Sequence, residues 1–144
     1  MVEPISLLHM LNKLLGAEIA LSAYTGSCGK NAGDKGLHEL SAVFYRQKIL
    51  FVKICNAIAT LILKHATPAA CLVNEFVSGA QHIECGFQIS SQTNPLQKLS
   101  GAHRKIIGML HNNIFSVNNH FPRFLIDNHL AMVAEFESVI CKYN

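Results

Sequence analysis

Apolar residues recur along this chain at intervals of three, four and seven, and no stretch alternates with the period of two that a half-buried strand requires. Four long segments carry the helical period. The first is expected from about Pro4 to Gly26, with Leu8, Leu11, Leu15 and Ile19 as its seam and Pro4 in the first turn. Ser27 to Gly36 contains three glycines with Asn31 and Asp34, a cluster that predicts a loop. The second helix is expected from about Leu37 to His65, its stripe being Leu37, Leu40, Phe44, Phe51, Ile54, Ile58 and Leu61. Thr67-Pro68 signals a restart, Thr as N-cap and Pro at the first helical position. A short helix then runs to about Ser78 or a little beyond, with Leu72, Phe76 and Ala80 inward. Cys85 to Asn94 has no period and reads as loop.

The third long helix is expected from about Leu96 to Asn118, on Leu99, Ile106, Leu110, Ile114 and Val117. The fourth runs from near Pro122 to about Lys142, on Ile126, Val133, Phe136 and Ile140. The connection between the second and third long helices spans roughly thirty residues, where tight helix-to-helix turns use about two to eight. A crossover along the length of a bundle fits it. The expected fold is therefore all-α: one domain over residues 1–144, an antiparallel four-helix bundle with a short helix in the long crossover.

Composition sharpens this picture. Half of the 144 residues are hydrophobic and 15% are charged, so few charges remain to cover the outside and self-association is favoured. A net charge of +3 is too weak to argue nucleic-acid binding. Cys28, Cys55, Cys71, Cys85 and Cys141 are odd in number and lack CxxC spacing, which suits a reducing cytoplasm. Cys55 and Cys141 fall in periodic stretches and read as buried. Cys28 and Cys85 fall in expected loops. No signal peptide is visible, and the greasiest run, Ile49 to Leu63, carries Lys53 and Asn56 and is short for a bilayer.

Several motifs carry a resemblance. Leu11-Asn12-Lys13-Leu14-Leu15 resembles the opening of the first helix in ferritin-like proteins. Leu37-His38-Glu39-Leu40 resembles the Leu-His-Glu-Leu of Dps proteins, and Thr67-Pro68 through Asn74-Glu75-Phe76 resembles their short connecting helix. Ala102-His103-Arg104 and Leu125-Ile126-Asp127-Asn128-His129 look like degraded forms of the acidic-His patches of the last two helices. The resemblance covers nearly the whole chain in element order. It implies a ferritin-like bundle of the Dps branch, a dodecameric cytoplasmic shell, and iron bound between subunits and oxidised there.

The ligand positions of that family are mostly lost. His38 matches. The His-Trp-Asn register falls near Gly26-Ser27-Cys28, and the chain has no Trp. The Asp and Glu positions fall on Lys53 and Ala57, and a lysine is a cation where iron wants an anionic oxygen. Glu18 resembles the first-helix Glu of ferritins. The resemblance thus implies at most a degenerate ferroxidase.

Read from the residues alone, His38 is either an intersubunit ligand or a surface residue in a polar helix start. Glu18, Gln47, His103 and His129 lie on or beside the seams of four different helices. Such a set could hold one zinc or iron through two His and one Glu. It could equally form a buried hydrogen-bonded network or reach solvent at the seam edges. Neither end carries a Lys-rich tail, so direct DNA binding is disfavoured. Three functions follow as expectations: a shell-forming Dps-like protein that sequesters iron and protects against oxidative stress, a non-catalytic interaction scaffold, and a small metalloprotein using the interior set.

Overall fold

The computed structural model describes residues 4–65, 73–88, 95–111 and 120–142. They form five helices: α1 (Pro4–Asp34), α2 (His38–His65), α3 (Val73–Gln88), α4 (Pro95–His111) and α5 (His120–Cys141). No strand occurs among the described residues, so the chain is all-α. None of the described helices is long and apolar enough to cross a membrane. Thr67-Pro68, Leu72, Ile114, Val117 and the break at Asn118-Asn119 lie outside the described residues.

α1 does not stop at Gly26. It continues to Asp34 through the segment expected to be a loop. Gly26, Gly29 and Gly33 share one face, and α2 packs against it. A Cβ at Gly29 would meet the Phe44 Cβ at 3.3 Å, and one at Gly33 would meet the Ser41 hydroxyl at 3.3 Å. The Ser41 hydroxyl donates to the Gly29 carbonyl at 2.8 Å. Close approach of two helices, together with burial of Cys28 and Ala32, outweighs the weak helix propensity of glycine. The true stop is Gly36, at φ 78°. There the Leu37 N–H reaches the Ala32 carbonyl at 2.8 Å and the Gly36 N–H reaches Gly33 at 3.0 Å. That pair of bonds is a Schellman motif, and it turns the chain into α2.

α2 runs antiparallel to α5, as three pairings show: Glu39 with Lys142, Arg46 with Glu135, and Gln47 with the Met132 carbonyl. α1 packs on α2, α3 and α4, while α5 packs on α2 and α4. Backbone meets backbone at the α1–α3 crossing. A Cβ at Gly16 would land on the Phe76 carbonyl, and one at Gly79 would land on the Lys13 carbonyl. This crossing carries α3 past Ser78 to Gln88, with Gly79 and Ile83 buried, so Cys85 is helical rather than loop.

The core is centred on Leu11, Leu14, Leu21, Phe44, Phe51, Ile54, Ile58, Ile83, Leu99, Ile106 and Phe136. The stripe expected for α2 is largely the observed one. Those of α1 and α5 are rotated. Ile19 is exposed and Leu14 takes the interior place; in α5 the fully inward positions are Leu125, His129, Met132 and Phe136. Two thiols also differ from expectation. Cys141 is exposed, and Cys55 is half-buried.

Candidate functional site

Four of the polar side chains buried in the interior come from four different helices: Glu18 of α1, Gln47 of α2, His103 of α4 and His129 of α5. Each replaces an apolar residue on a seam of its helix. Glu18 follows Leu11 and Leu14 at helical spacing, His103 stands between Leu99 and Ile106, and His129 stands between Leu125 and Met132. Helix packing then brings three of them into one line. The Nδ1 atoms of His103 and His129 lie 2.8 Å apart. The opposite nitrogen of His129, Nε2, hydrogen-bonds Oε1 of Glu18. All three side chains are 0% exposed.

Aromatic rings wall this line. Phe51 stands 6.0 Å from both imidazoles, and Phe136 stands 6.0 Å from His103. The imidazoles meet edge to face, 5.0 Å between centroids. Only one hydrogen can lie between the two Nδ1 atoms. With Glu18 ionised, Nε2–H of His129 donates to it, and Nδ1 of His129 accepts Nδ1–H from His103. His103 Nε2 then faces the interior as a bare lone pair, with no hydrogen-bond partner among the described residues. This tautomer leaves an acceptor unpaired rather than an N–H donor. Oε2 of Glu18 is likewise unpartnered.

Gln47, the fourth member, does not join the line through a hydrogen bond. Its Nε2 donates to the Met132 carbonyl at 2.9 Å and to Glu135 at 3.2 Å. Cys55 is the neighbour that sequence reading missed. Burial, reinforced by the negative charge of Glu18, pushes its thiol up to about 12. The apolar spacing of α2 showed Cys55 beside the stripe but could not show that it approaches α1. Cys28 is not a loop thiol: it is buried in α1, where desolvation holds it up at about 11 although a hydrogen bond from Tyr24 opposes this. Both thiols are protonated at neutral pH, which leaves neither with nucleophilic character.

His38 stays apart. It opens α2 on the surface and is exposed.

The arrangement can be tested for iron or zinc. A metal needs several donors aimed at one point. His129 directs its two nitrogens to partners on opposite sides of its ring, so Glu18 and His103 do not converge with it. Among the described residues no three His, Cys, Asp or Glu side chains are grouped to hold a metal ion. The set as arranged does not fit a metal, and no chemistry is routed through one. What it forms is a carboxylate–imidazole–imidazole chain that can hold one proton at a defined place.

Burial holds His103 well below the usual imidazole range, and a proton on His129 would push it lower still. This gives stability a pH dependence. Below its unfolded value of 6.5, His103 takes up a proton in the unfolded chain but not in the folded one. The unfolded state therefore binds more protons, and stability falls as pH drops below that point, by about 1.4 kcal/mol per unit for one proton. The titratable group facing His103 is His129, with Glu18 beyond it. Urea midpoints measured between neutral and mildly acid pH are expected to decline in the native chain and to flatten in His103→Leu. An unchanged slope in that variant would assign the acid sensitivity elsewhere.

No family model matches the chain, and neither a curated protein nor a solved structure matches it.

Proposed function

We propose that this chain is a divergent ferritin-like bundle of the Dps kind whose work is assembly: it builds a homo-oligomeric shell and has lost the ferroxidase centre. The cycle of contacts α1–α2–α5–α4, with α3 laid against α1 and α4, supports a four-helix bundle with an accessory crossover helix. The observation that carries the oligomer is the outer face of α2. That helix buries Leu40, Phe44, Phe51, Ile54 and Ile58 on one side. On the opposite side it exposes Tyr45 (47%), Ile49 (63%), Val52 (56%) and Leu63 (78%). These four share one stripe, at successive intervals of four, three and eleven residues. A helix apolar on two opposite faces belongs between two packed surfaces.

A second copy suits the outer face because a symmetric pairing matches the stripe with itself. His38 lies at the N-terminal end of the same stripe, since residues 38, 45 and 52 are successive heptad positions. Pairing along α2 would therefore carry His38 to a subunit boundary, where the resemblance expects a ligand. Cargo iron, if taken up, would meet this surface histidine rather than the interior line. Lys53 and Ala57, at the other ligand positions of the family, offer iron no oxygen.

Light scattering is the test. The native chain is expected at a multiple of 15.8 kDa, and Ile49→Glu/Val52→Glu is expected to reduce the particle mass while keeping the helical circular dichroism. A native chain of single-subunit mass sinks the shell. Stoichiometric iron or zinc in the same peak would instead favour the small metalloprotein, with His129 turned away from Glu18. A dimer without metal would leave the interaction scaffold.

A further inference from the structure

We propose that the surface where α1, α3 and α4 meet is an anion site, formed by Lys13, His82 and Lys105, and that its ligand is a small oligophosphate. The three basic groups come from three different helices, and packing brings them together. Lys105 Nζ donates to the His82 carbonyl at 3.3 Å, which uses one of its three N–H groups. The Lys13 backbone lies under Gly79, one helical turn before His82. Both lysines are half-buried and His82 is exposed, so the cluster opens to solvent.

Among the described residues no carboxylate pairs with either lysine of this cluster. The ion pairs among the described residues use Glu18, Glu39, Glu75 and Glu135, and neither Lys13 nor Lys105 takes part. α4 contains no Asp or Glu at all. On α3, Glu84 lies two residues from His82 and therefore points to the other side of the helix. Glu75 lies two turns away and is engaged by His9 at 3.4 Å. Partial burial, and then the charges of Lys105 and Lys13, hold the His82 imidazole below its usual value. Like charges on adjoining helices repel, and an anion among them removes the repulsion.

There is also room for an anion. Gly101 and Gly108 lie four residues before and three after Lys105, on the same side of α4. A Cβ at either position would meet nothing within 4 Å. Ammonium groups bind phosphoryl oxygens as point charges through charge-assisted hydrogen bonds. Three donors spread over three helices suit a ligand with more than one phosphoryl group better than a single phosphate.

The test is a histidine-resolved NMR titration of the full chain with sodium pyrophosphate at fixed ionic strength. His82 is expected to shift saturably, and its titration midpoint is expected to rise when pyrophosphate is bound. Lys13→Gln and Lys105→Gln should each weaken binding by about tenfold, the loss typical of one hydrogen bond to a charged group. Thermal melts of both variants check that they remain folded. No saturable change at His82, or unaltered affinity in both variants, overturns the site. Equal affinity for inorganic phosphate overturns the choice of an oligophosphate.

Discussion

His129→Ala is expected to cost the fold about 3–5 kcal/mol, because it opens a cavity where a large buried ring stood and strands a buried carboxylate. Native domains hold only about 5–15 kcal/mol in total, so this is a large share. The reason lies in the position of His129 in the line. It is the only hydrogen-bond partner recorded for either Glu18 or His103 among the described residues. Without it a fully buried carboxylate and a fully buried imidazole are both stranded, and a cavity opens between Phe51 and His103. Replacing the whole line by Glu18→Leu/His103→Leu/His129→Leu should behave in the opposite way. The desolvation penalty disappears with the buried polar groups, and such replacements are often neutral or stabilising by about 1–4 kcal/mol. Urea denaturation of both variants measures the contrast. If His129→Ala unfolds at the native midpoint, the line carries no structural weight. If the triple variant alone fails to fold, the polar chain specifies the packing rather than merely surviving in it.

The second large effect is expected at the α1–α3 crossing. In an exposed helix, Gly→Ala stabilises by about 1 kcal/mol through propensity. At Gly79 the new methyl would collide with the Lys13 carbonyl, which is backbone and cannot turn aside. Over-packing of this kind costs about 1–3 kcal/mol or more, and here it requires two helices to separate. Gly79→Ala should therefore destabilise, and Gly16→Ala should do the same against the Phe76 carbonyl. Gly108→Ala is the control, since open space surrounds it, and it should follow propensity and stabilise. Thermal melts of the three variants give the signs directly. A stabilised Gly79→Ala would mean that α3 does not lie against α1 as closely as described.

These two sites also mark where sequence reading reached its limit. A Glu, two His and a Gln on otherwise apolar seams are conspicuous because periodicity is a property of one helix, computed from spacing alone. Their place on or beside the seams was legible for that reason, while burial and solvent exposure at the seam edge both stayed open. That Glu18, His129 and His103 form a line, while Gln47 turns to α5's backbone and His38 remains at the surface, depends on how helices rotate against each other. Spacing within one helix carries no such information. The rotation also explains Ile19 and Leu14. Both sit at seam spacing, and only the partner helices select which one is inward.

Glycine was misread for a related physical reason. Gly29 and Gly33 look like breakers, and Gly26 like a helix end, because an isolated helix loses entropy there. In the folded chain the missing side chains let α2 approach, and the packing gained exceeds the propensity lost. Gly36 alone acts as the stop, since it alone adopts a positive φ among the glycines of that segment. By itself, then, the sequence determined an all-helical chain, most of its helical segments and the polar residues that stand on or beside the apolar seams, because these follow from local period. The tertiary structure decided where α1 ends, which faces meet, which polar atoms pair and which apolar stripe on α2 is left for a second surface. Those outcomes depend on contacts between residues far apart in the chain, and no local pattern encodes them.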